Sequence, residues 1–205
     1  MGTDIHGVFQ AHKDGKWTDV PSEYEQDRHY LLFAWLGNVR NGFGFAGCKT
    51  HTPITPLTDC RGLPEDFHME GDSHPVSSIE ILDPRRRKWH EEDEPLEIWM
   101  GDHSHSYVLG EEVLGAELPV ITRNGIVDRA LFEKWDGESA PEDWCGGISG
   151  PSIKIDTPDT VDEDTSHVQL TWLERTSESL SYFIDEVQRL MNEYGDIRFV
   201  FGFDS

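Results

Sequence analysis

Lysine and basic charge are scarce in this 205-residue sequence, and the scarcity excludes a class of partner. Only six of the 17 basic residues are lysine, against 40 aspartates and glutamates, so the formal net charge is -23. Nonspecific binding to DNA or RNA depends on cationic side chains that displace counterions, and an acidic surface repels a polyanion. We therefore expect no duplex nucleic-acid partner. An acidic excess with little lysine is typical of a halophilic protein, and an ordinary acidic protein is the alternative.

Long apolar runs and paired cysteine motifs are also lacking. No stretch approaches the roughly 18 apolar residues that span a bilayer, and the N-terminus lacks a signal-peptide pattern. The three cysteines, Cys48, Cys60 and Cys145, form no C-x-x-C pair, which argues against a zinc or redox motif. We expect no membrane partner, a cytoplasmic location, and a single domain over residues 1–205.

Apolar periodicity predicts the fold class. Alternation over Asp4–Ala11, a turn, and Trp17–Val20 predict an N-terminal β-hairpin, while helical spacing over Leu180–Met191 predicts a C-terminal helix. Residues 199–203 are apolar and predict a buried final strand. We therefore expect an α+β fold with a mixed or antiparallel sheet that includes both termini. The C-terminal helix and a helix near 30–39 pack on this sheet.

Turn and loop signals add three local expectations. Asp27 is placed to cap the helix near residue 30. Asn124-Gly125 is typical of a tight hairpin turn. The stretch from 41 to 76 is rich in glycine, proline, histidine and threonine, and a long irregular segment inside a domain often binds a ligand.

Short motifs occur in order along most of the chain. They are Met1–His6, Asp27–Phe33, Val39–Asn41, Pro56 with Arg61–Asp66, Asp102–Tyr107 and Ile197–Asp204. In this order they resemble the M-G-C-D-I-H, D-R-N-Y-x-L-F, V-R-N, P-R-G-L-P, H-S-x-S-W and V-F-W-F-D motifs of a family of small phage and prophage proteins. The family has no established activity, so the resemblance implies a phage-type accessory protein in the host cytoplasm or, alternatively, in the virion.

Three positions depart from the family pattern. Thr3 replaces its cysteine, Cys60 stands where a proline precedes the Arg-Gly pair, and Gly202 replaces its tryptophan. The first departure removes the family cysteine as a nucleophile or ligand in this chain.

A first polar group suggests a metal site. Asp4 and His6 alternate along one strand, so their side chains leave the same face about 7 Å apart. With His103 and with Asp204 at the end of the last strand, they supply the imidazoles and carboxylates that hold a divalent transition metal. Asp4–Gly7 also resembles the D-x-H-G opening of calcineurin-like metallophosphoesterases, but their Asn-His-acid box does not follow. The alternative is that Asp4 binds a turn amide and His6 is an ordinary sheet histidine.

A second polar group suggests a phosphate site. Arg40-Asn41 and Arg61-Gly62 combine guanidinium groups, which match phosphate, with glycines that admit backbone amides to a ligand. Tyr107 is a candidate ligand contact, as a ring on which a base stacks. The alternative is that each arginine pairs with a neighbouring carboxylate. Other aromatic side chains that form either a stacking wall or core are Tyr30, Phe43 and Phe45.

Together these groups predict a phage-type protein that binds a small nucleotide or phosphodiester ligand. As an enzyme it would be a metal-dependent phosphodiesterase, with His103 or His105 as general acid or base. The alternative is a noncatalytic protein that sequesters a nucleotide, or a virion component; a homo-oligomer is compatible with each. No P-loop, dinucleotide fingerprint or nucleophile triad narrows the choice. We expect one pocket to collect Asp4, His6, His103, Arg40 and Arg61.

The acidic surface generates a prediction about salt. We expect the melting temperature to rise steadily from low salt to molar KCl, because counterions screen repulsion between carboxylates. Differential scanning fluorimetry across a KCl series measures this, and a flat or falling melting temperature would contradict the halophilic interpretation.

Overall fold

Strand β9 (Ile197–Asp204) lies at the centre of the main sheet. The computed structural model describes residues 2–26, 28–67, 76–79 and 96–205. The main sheet has the order β2-β1-β9-β5, with every neighbouring pair antiparallel. Its other strands are β1 (Asp4–Lys13), β2 (Lys16–Val20) and β5 (His103–Leu109). The predicted N-terminal hairpin and the pairing of the first and last strands are confirmed.

Helices cover one face of this sheet. The five helices of the described residues are α1 (Tyr30–Gly37), α2 (Gly110–Leu114), α3 (Arg129–Phe132), α4 (Thr176–Ser179) and α5 (Ser181–Tyr194). Helix α5 buries Phe183, Val187 and Leu190 against the sheet, as its spacing predicts, and ends at Gly195 with φ 85°. Helix α1 is buried from its second residue to its last. The predicted α+β class and both packing helices are confirmed.

The N-terminal cap of α1 differs from the expectation. His29 occupies the cap position, and its Nδ1 accepts a hydrogen bond from the Leu32 amide at 3.1 Å. Asp27 lies outside the described residues. An imidazole nitrogen satisfies the same orphan amide that a carboxylate satisfies at a helix start.

A second sheet has the order β6-β8-β7. Strand β6 (Val120–Asp128) pairs antiparallel with β8 (His167–Arg175), and β7 (Ile155–Asp156) pairs parallel with β8. A separate antiparallel pair joins β3 (Val76–Ile79) to β4 (Leu96–Trp99). No helix among the described residues is both long and apolar enough to cross a membrane.

The predicted turn at Asn124-Gly125 is wrong, because both residues lie inside β6 and pair with Thr171 and Leu170. Packing explains the glycine. A Cβ atom added at Gly125 would lie 2.7 Å from the Trp144 ring and 2.8 Å from the Trp172 ring. The glycine therefore lets two tryptophans approach the backbone of a continuous strand.

The irregular segment after α1 attaches to the free edge of β6. The Thr52 amide donates to the Thr122 carbonyl at 3.0 Å, and the Asn124 amide donates to the Thr50 carbonyl at 2.8 Å. Cys145 pairs with Ile126 on the same edge through hydrogen bonds of 2.8 and 2.9 Å. Two segments that are distant in sequence thus meet along one strand.

The packing of α5 generates a stability prediction. Val187→Asp should lower the free energy of unfolding by more than about 3 kcal/mol, because Val187 is 1% exposed and the new charge has no buried partner. Gln188→Asp adds the same charge at an exposed position of the same helix and should change little. Urea unfolding measures both, and a stable, cooperatively unfolding Val187→Asp protein would contradict this placement.

Candidate functional site

Strand register brings Asp4, His6 and Asp204 together on one face of the main sheet. Asp4 pairs with Asp204 and His6 with Gly202, so these side chains share a face. The Asp4 amide donates to Asp204 Oδ1 at 3.1 Å, and His6 Nε2 lies 3.4 Å from Asp204 Oδ2. The His6 ring also contacts Trp99, with 4.9 Å between ring centroids. Three of the four predicted metal ligands are therefore neighbours.

An arginine already occupies the Asp4 carboxylate. Arg28 Nε and Nη2 donate to the two carboxylate oxygens at 2.5 and 2.8 Å. The hydrogen bond from Arg28 holds the pKa of Asp4 below its usual value. Both carboxylate oxygens of Asp4 are therefore engaged in an ion pair with Arg28 rather than directed to a metal site.

The fourth predicted ligand, His103, lies on the opposite face. It pairs with Phe203 and stacks on that ring at 6.2 Å. Its Nδ1 lies 3.0 Å from Ser104 Oγ, and its Nε2 lies 3.1 Å from Ser205 Oγ. Because β9 separates β5 from β1, the two backbones are about 10 Å apart as well. The expected approach of His103 to His6 is therefore not observed.

No preassembled metal centre is present in the part of the chain that the structure describes, where no three His, Cys, Asp or Glu side chains are arranged to hold an ion. His105, the other proposed acid or base, donates from Nε2 to the Gly101 carbonyl at 3.0 Å. Its ring covers Gly202, where an added Cβ atom would lie 2.5 Å from the imidazole. The absence of a side chain at this position thus makes room for His105.

Arg61, Gly62 and Tyr107 form a separate cluster. Arg61 donates to both Glu112 oxygens at 3.2 and 2.8 Å, and its guanidinium lies 4.9 Å from the centre of the Tyr107 ring. Gly62 has φ 81°, and its amide donates to the His105 carbonyl at 3.0 Å. The cluster fixes the 61–67 segment against β5, and Arg61 pairs with a carboxylate, the alternative that the sequence left open.

Arg40 and Asn41 hold the other end of the irregular segment. Arg40 donates to Thr3 Oγ1 at 2.7 Å and to the Gly44 carbonyl at 3.3 Å. Asn41 Nδ2 donates to the Ile54 carbonyl at 2.7 Å, and Asn41 Oδ1 accepts from the Ile54 amide at 2.9 Å. These contacts close the segment into a loop, and the expected convergence of Arg40 and Arg61 on one pocket is not observed.

This closed loop forms one wall of a cavity of about 750 Å³. The other walls are residues 28–31 at the start of α1, Arg123 on β6, and residues 144–149. The volume is in the range of small-molecule sites. Tyr30 and Phe45, both proposed as stacking residues, line this cavity. The sequence thus identified one residue in each of two walls, and none at Arg123 or in residues 144–149.

Glycines bring the two loops of the cavity together. A Cβ atom added at Gly146 would lie 2.9 Å from Thr50 Cγ2, and one added at Gly147 would lie 2.5 Å from Cys48 Sγ. Gly44 packs in the same way on Thr50, at 2.8 Å. The side chains of Thr50 and Cys48 thus pack directly on the backbone of these glycines, which holds the two loops against each other.

A buried ion pair supports the cavity wall at Arg123. Its Nε and Nη2 donate to the Glu174 oxygens at 2.7 and 2.8 Å, and its guanidinium lies 5.7 Å from the Trp144 ring centre. Burial raises the pKa of Glu174, but hydrogen bonds from Arg123 and Ser179 outweigh it, so the net pKa is lowered. The charge on Arg123 is thus fixed in place.

Sequence reasoning missed Arg28, Arg123 and the 144–149 segment. Arg123 lies in a strand without a motif, and Arg28 belongs to the Asp27–Phe33 motif but was not singled out as a ligand contact. The Trp-Cys-Gly-Gly run from residue 144 was the available signal, because adjacent glycines beside an aromatic residue are typical of close backbone approach. No protein-family model matches the chain, and neither a curated protein nor a solved structure is significantly similar to it.

His51 follows Thr50 of the cavity wall, pairs with Arg123 and is fully buried. Its Nδ1 donates to the Thr52 carbonyl at 2.9 Å, while its Nε2 is buried without a partner among the described residues. Burial lowers the pKa of His51, and the nearby charge of Arg123 acts in the same direction. The imidazole is therefore neutral in the folded protein.

The neutral His51 generates a pH prediction. The unfolded chain protonates this histidine below its ordinary pKa of about 6.5, whereas the folded protein binds that proton only at a lower pH. Stability should therefore fall as pH drops below about 6.5, by up to about 1.4 kcal/mol per pH unit. Urea unfolding at pH 7.5 and 5.5 should show a smaller decrease in the free energy of unfolding for His51→Gln than for the wild type. The exposed His12→Gln control should keep the wild-type decrease, and an unchanged decrease in His51→Gln would contradict the assignment.

Proposed function

We propose that this protein is a noncatalytic phage-type accessory protein that binds a nucleotide or a similar phosphodiester in the cavity between residues 28–31, 44–50, 123 and 144–149. The observation that carries the proposal is the combination of an exposed aromatic ring, glycine-rich walls and two guanidinium groups around one cavity. A base requires a flat apolar surface, and a phosphate requires amides or guanidinium groups.

Phe45 supplies the flat surface. It is 60% exposed although it lines the cavity, and its turn leaves Ala46 with φ 55°. Exposing a phenylalanine gains nothing for folding, since its burial is worth about 1.5–3 kcal/mol. A stacked base would remove this ring from water.

Arg28 and Arg123 supply positive charge on two sides of the cavity. Each uses Nε and Nη2 for its carboxylate, Asp4 or Glu174. Among the described residues neither Nη1 has a hydrogen-bond partner, so this nitrogen can donate to an anionic ligand. Tyr30 has its buried hydroxyl without a partner among the described residues. An unsatisfied hydroxyl costs about 1–3 kcal/mol, which a ligand or water in the cavity would recover.

The preformed cavity and the lack of a metal-binding group among the described residues favour sequestration over turnover. Such a protein would lower the free concentration of its nucleotide in the host cell. The enzymatic alternative is a metal-dependent phosphodiesterase at Asp4, His6 and Asp204, favoured by the 3.4 Å contact of His6 with Asp204. It predicts Mn²⁺-dependent hydrolysis of bis(p-nitrophenyl) phosphate that is lost in His6→Ala.

Binding is tested with a panel of mononucleotides and cyclic nucleotides in molar KCl. We expect at least one to raise the melting temperature, and Phe45→Ala to weaken its binding by about 1 to 3 kcal/mol through lost stacking. Phe43→Ala is the matched control, because Phe43 is 47% exposed on the same loop and does not line the cavity. Isothermal titration measures both variants.

The contribution of the Arg28 charge to nucleotide binding is tested with the same titration. Arg28→Ala should weaken binding by about 1.5 to 3 kcal/mol, whereas Arg61→Ala should leave it unchanged because Arg61 pairs with Glu112 outside the cavity. An absence of binding across the panel, or an equal loss in Arg61→Ala, would overturn the proposal.

A further inference from the structure

Two cysteines that are distant in sequence border the same cavity. Cys48 and Cys145 both line it, both are half-buried, and both are reduced thiols. The third cysteine, Cys60, is exposed elsewhere, where its thiol contacts the Gly37 carbonyl at 3.2 Å. The cavity therefore gives small solutes access to one particular pair of thiols.

The free edge of β6 explains why Cys48 and Cys145 border the same cavity. Cys145 pairs with Ile126, and His51 pairs with Arg123 on the same edge. Continuing that antiparallel register from His51 would bring Cys48 to the level of Ile126, which Cys145 already occupies. The chain turns away there, and the two cysteine-bearing segments converge on one point.

Packing distances support the same conclusion. Cβ atoms added at Gly146 and Gly147 would lie 3.8 and 3.7 Å from Cys48 Cβ. The Cβ of Cys48 is thus beside the two residues that follow Cys145, and a disulfide requires that it approach the Cβ of Cys145 itself to about 3.5–4.5 Å. Cys145 precedes Gly146 directly, so Cys48 must move by about one residue spacing, roughly 3.8 Å, to meet it. The turn that carries Cys48, Phe45–Gly47, is exposed over its whole length.

We propose that Cys48 and Cys145 form a redox-active dithiol that closes to a disulfide across the cavity wall in the presence of a hydroperoxide. One thiolate attacks an oxygen of the hydroperoxide and becomes a sulfenic acid. The O–O bond breaks, and the other oxygen leaves as water or an alcohol. The second thiol attacks the sulfenic sulfur, forms the disulfide and releases water. The two thiols are oxidised by two electrons, and the hydroperoxide is reduced by two.

Closure acts on the cavity because it pulls the Phe45 turn toward the 144–149 loop. Phe45 is the proposed stacking surface, so its displacement removes the surface on which a base would rest. This consequence depends on the proposed nucleotide function, whereas formation of the disulfide does not.

The dithiol is tested on the reduced full-length protein with one equivalent of hydrogen peroxide, followed by alkylation and intact-mass analysis. We expect a loss of two hydrogen atoms, a single alkylated cysteine, and a Cys48–Cys145 cross-link in a nonreducing peptide map. Cys60→Ser should behave like the wild type with respect to the cross-link. Cys48→Ser and Cys145→Ser should each abolish it, and the variant that keeps the attacking cysteine should accumulate a sulfenic acid that dimedone traps. Separate oxidation of the two thiols in the wild type, or a cross-link to Cys60 or to another copy, would overturn the inference.

The effect on the cavity is tested with the mononucleotide or cyclic nucleotide that most stabilises the reduced protein. Oxidation should weaken its binding at least tenfold in the wild type and leave Cys48→Ser unchanged. A disulfide that forms without any effect on affinity overturns the proposed closure. A disulfide in a protein that binds no nucleotide leaves the dithiol standing and contradicts the proposed function. Nucleotide binding by a protein that forms no disulfide supports the proposed function and contradicts the dithiol.

Discussion

The central position of β9 is the constraint on which the other contacts depend. The strand pairs with β1 on one side and β5 on the other, and its residues are buried from Ile197 to Phe203. A strand buried on both faces is apolar along most of its length. The one charged residue in the buried run of β9, Arg198, donates to Gln10 and Asp66. Because side chains alternate between the faces, β9 divides the polar residues at its end into two groups. Asp4 and His6 face one side, whereas His103 faces the other.

This division explains what the sequence could predict. Periodicity identifies β1, α5 and β9, because burial of one face or of both leaves a repeating pattern. The shared face of Asp4 and His6 follows from alternation alone. The position of His103 does not, since a shift in register between His103 and Ser106 moves its side chain to the other face. Ser104, inside that irregularity, has φ 53°.

Long-range pairing explains what the sequence could not predict. The Asn-Gly pair in β6 has the composition of a turn, yet two tryptophans from distant segments require a glycine within a strand. Arg40 and Arg61 belong to one irregular segment, but their partners, Thr3 and Glu112, lie on different elements. Local sequence signals therefore indicate which residues have a particular structural role. The contact partner that determines this role is set by the tertiary fold.

Excess acid shapes the chemistry of the cavity as well as the surface. Carboxylates are so abundant that Arg28, Arg61 and Arg123 each hold one with two hydrogen bonds. An anionic ligand can use only the remaining edge of a guanidinium, and repulsion from the surface opposes its approach at low salt. Screening by salt weakens that long-range repulsion more than it weakens contacts inside the cavity. The proposed binding of a phosphate ester should therefore be most favourable under the same high-salt conditions that are predicted to stabilise the fold.

The free edge of β6 links the remaining features. Thr50 and Thr52 complete its hydrogen bonds on one half and Cys145 on the other, so both cavity loops rest on one strand. The buried His51 lies between these threonines, and Arg123 of the strand holds Glu174 behind it. Protonation of His51 would add a charge beside Arg123 without a partner for it. Acid and oxidation would thus act on the two loops through the same strand edge, at the place where the ligand would bind.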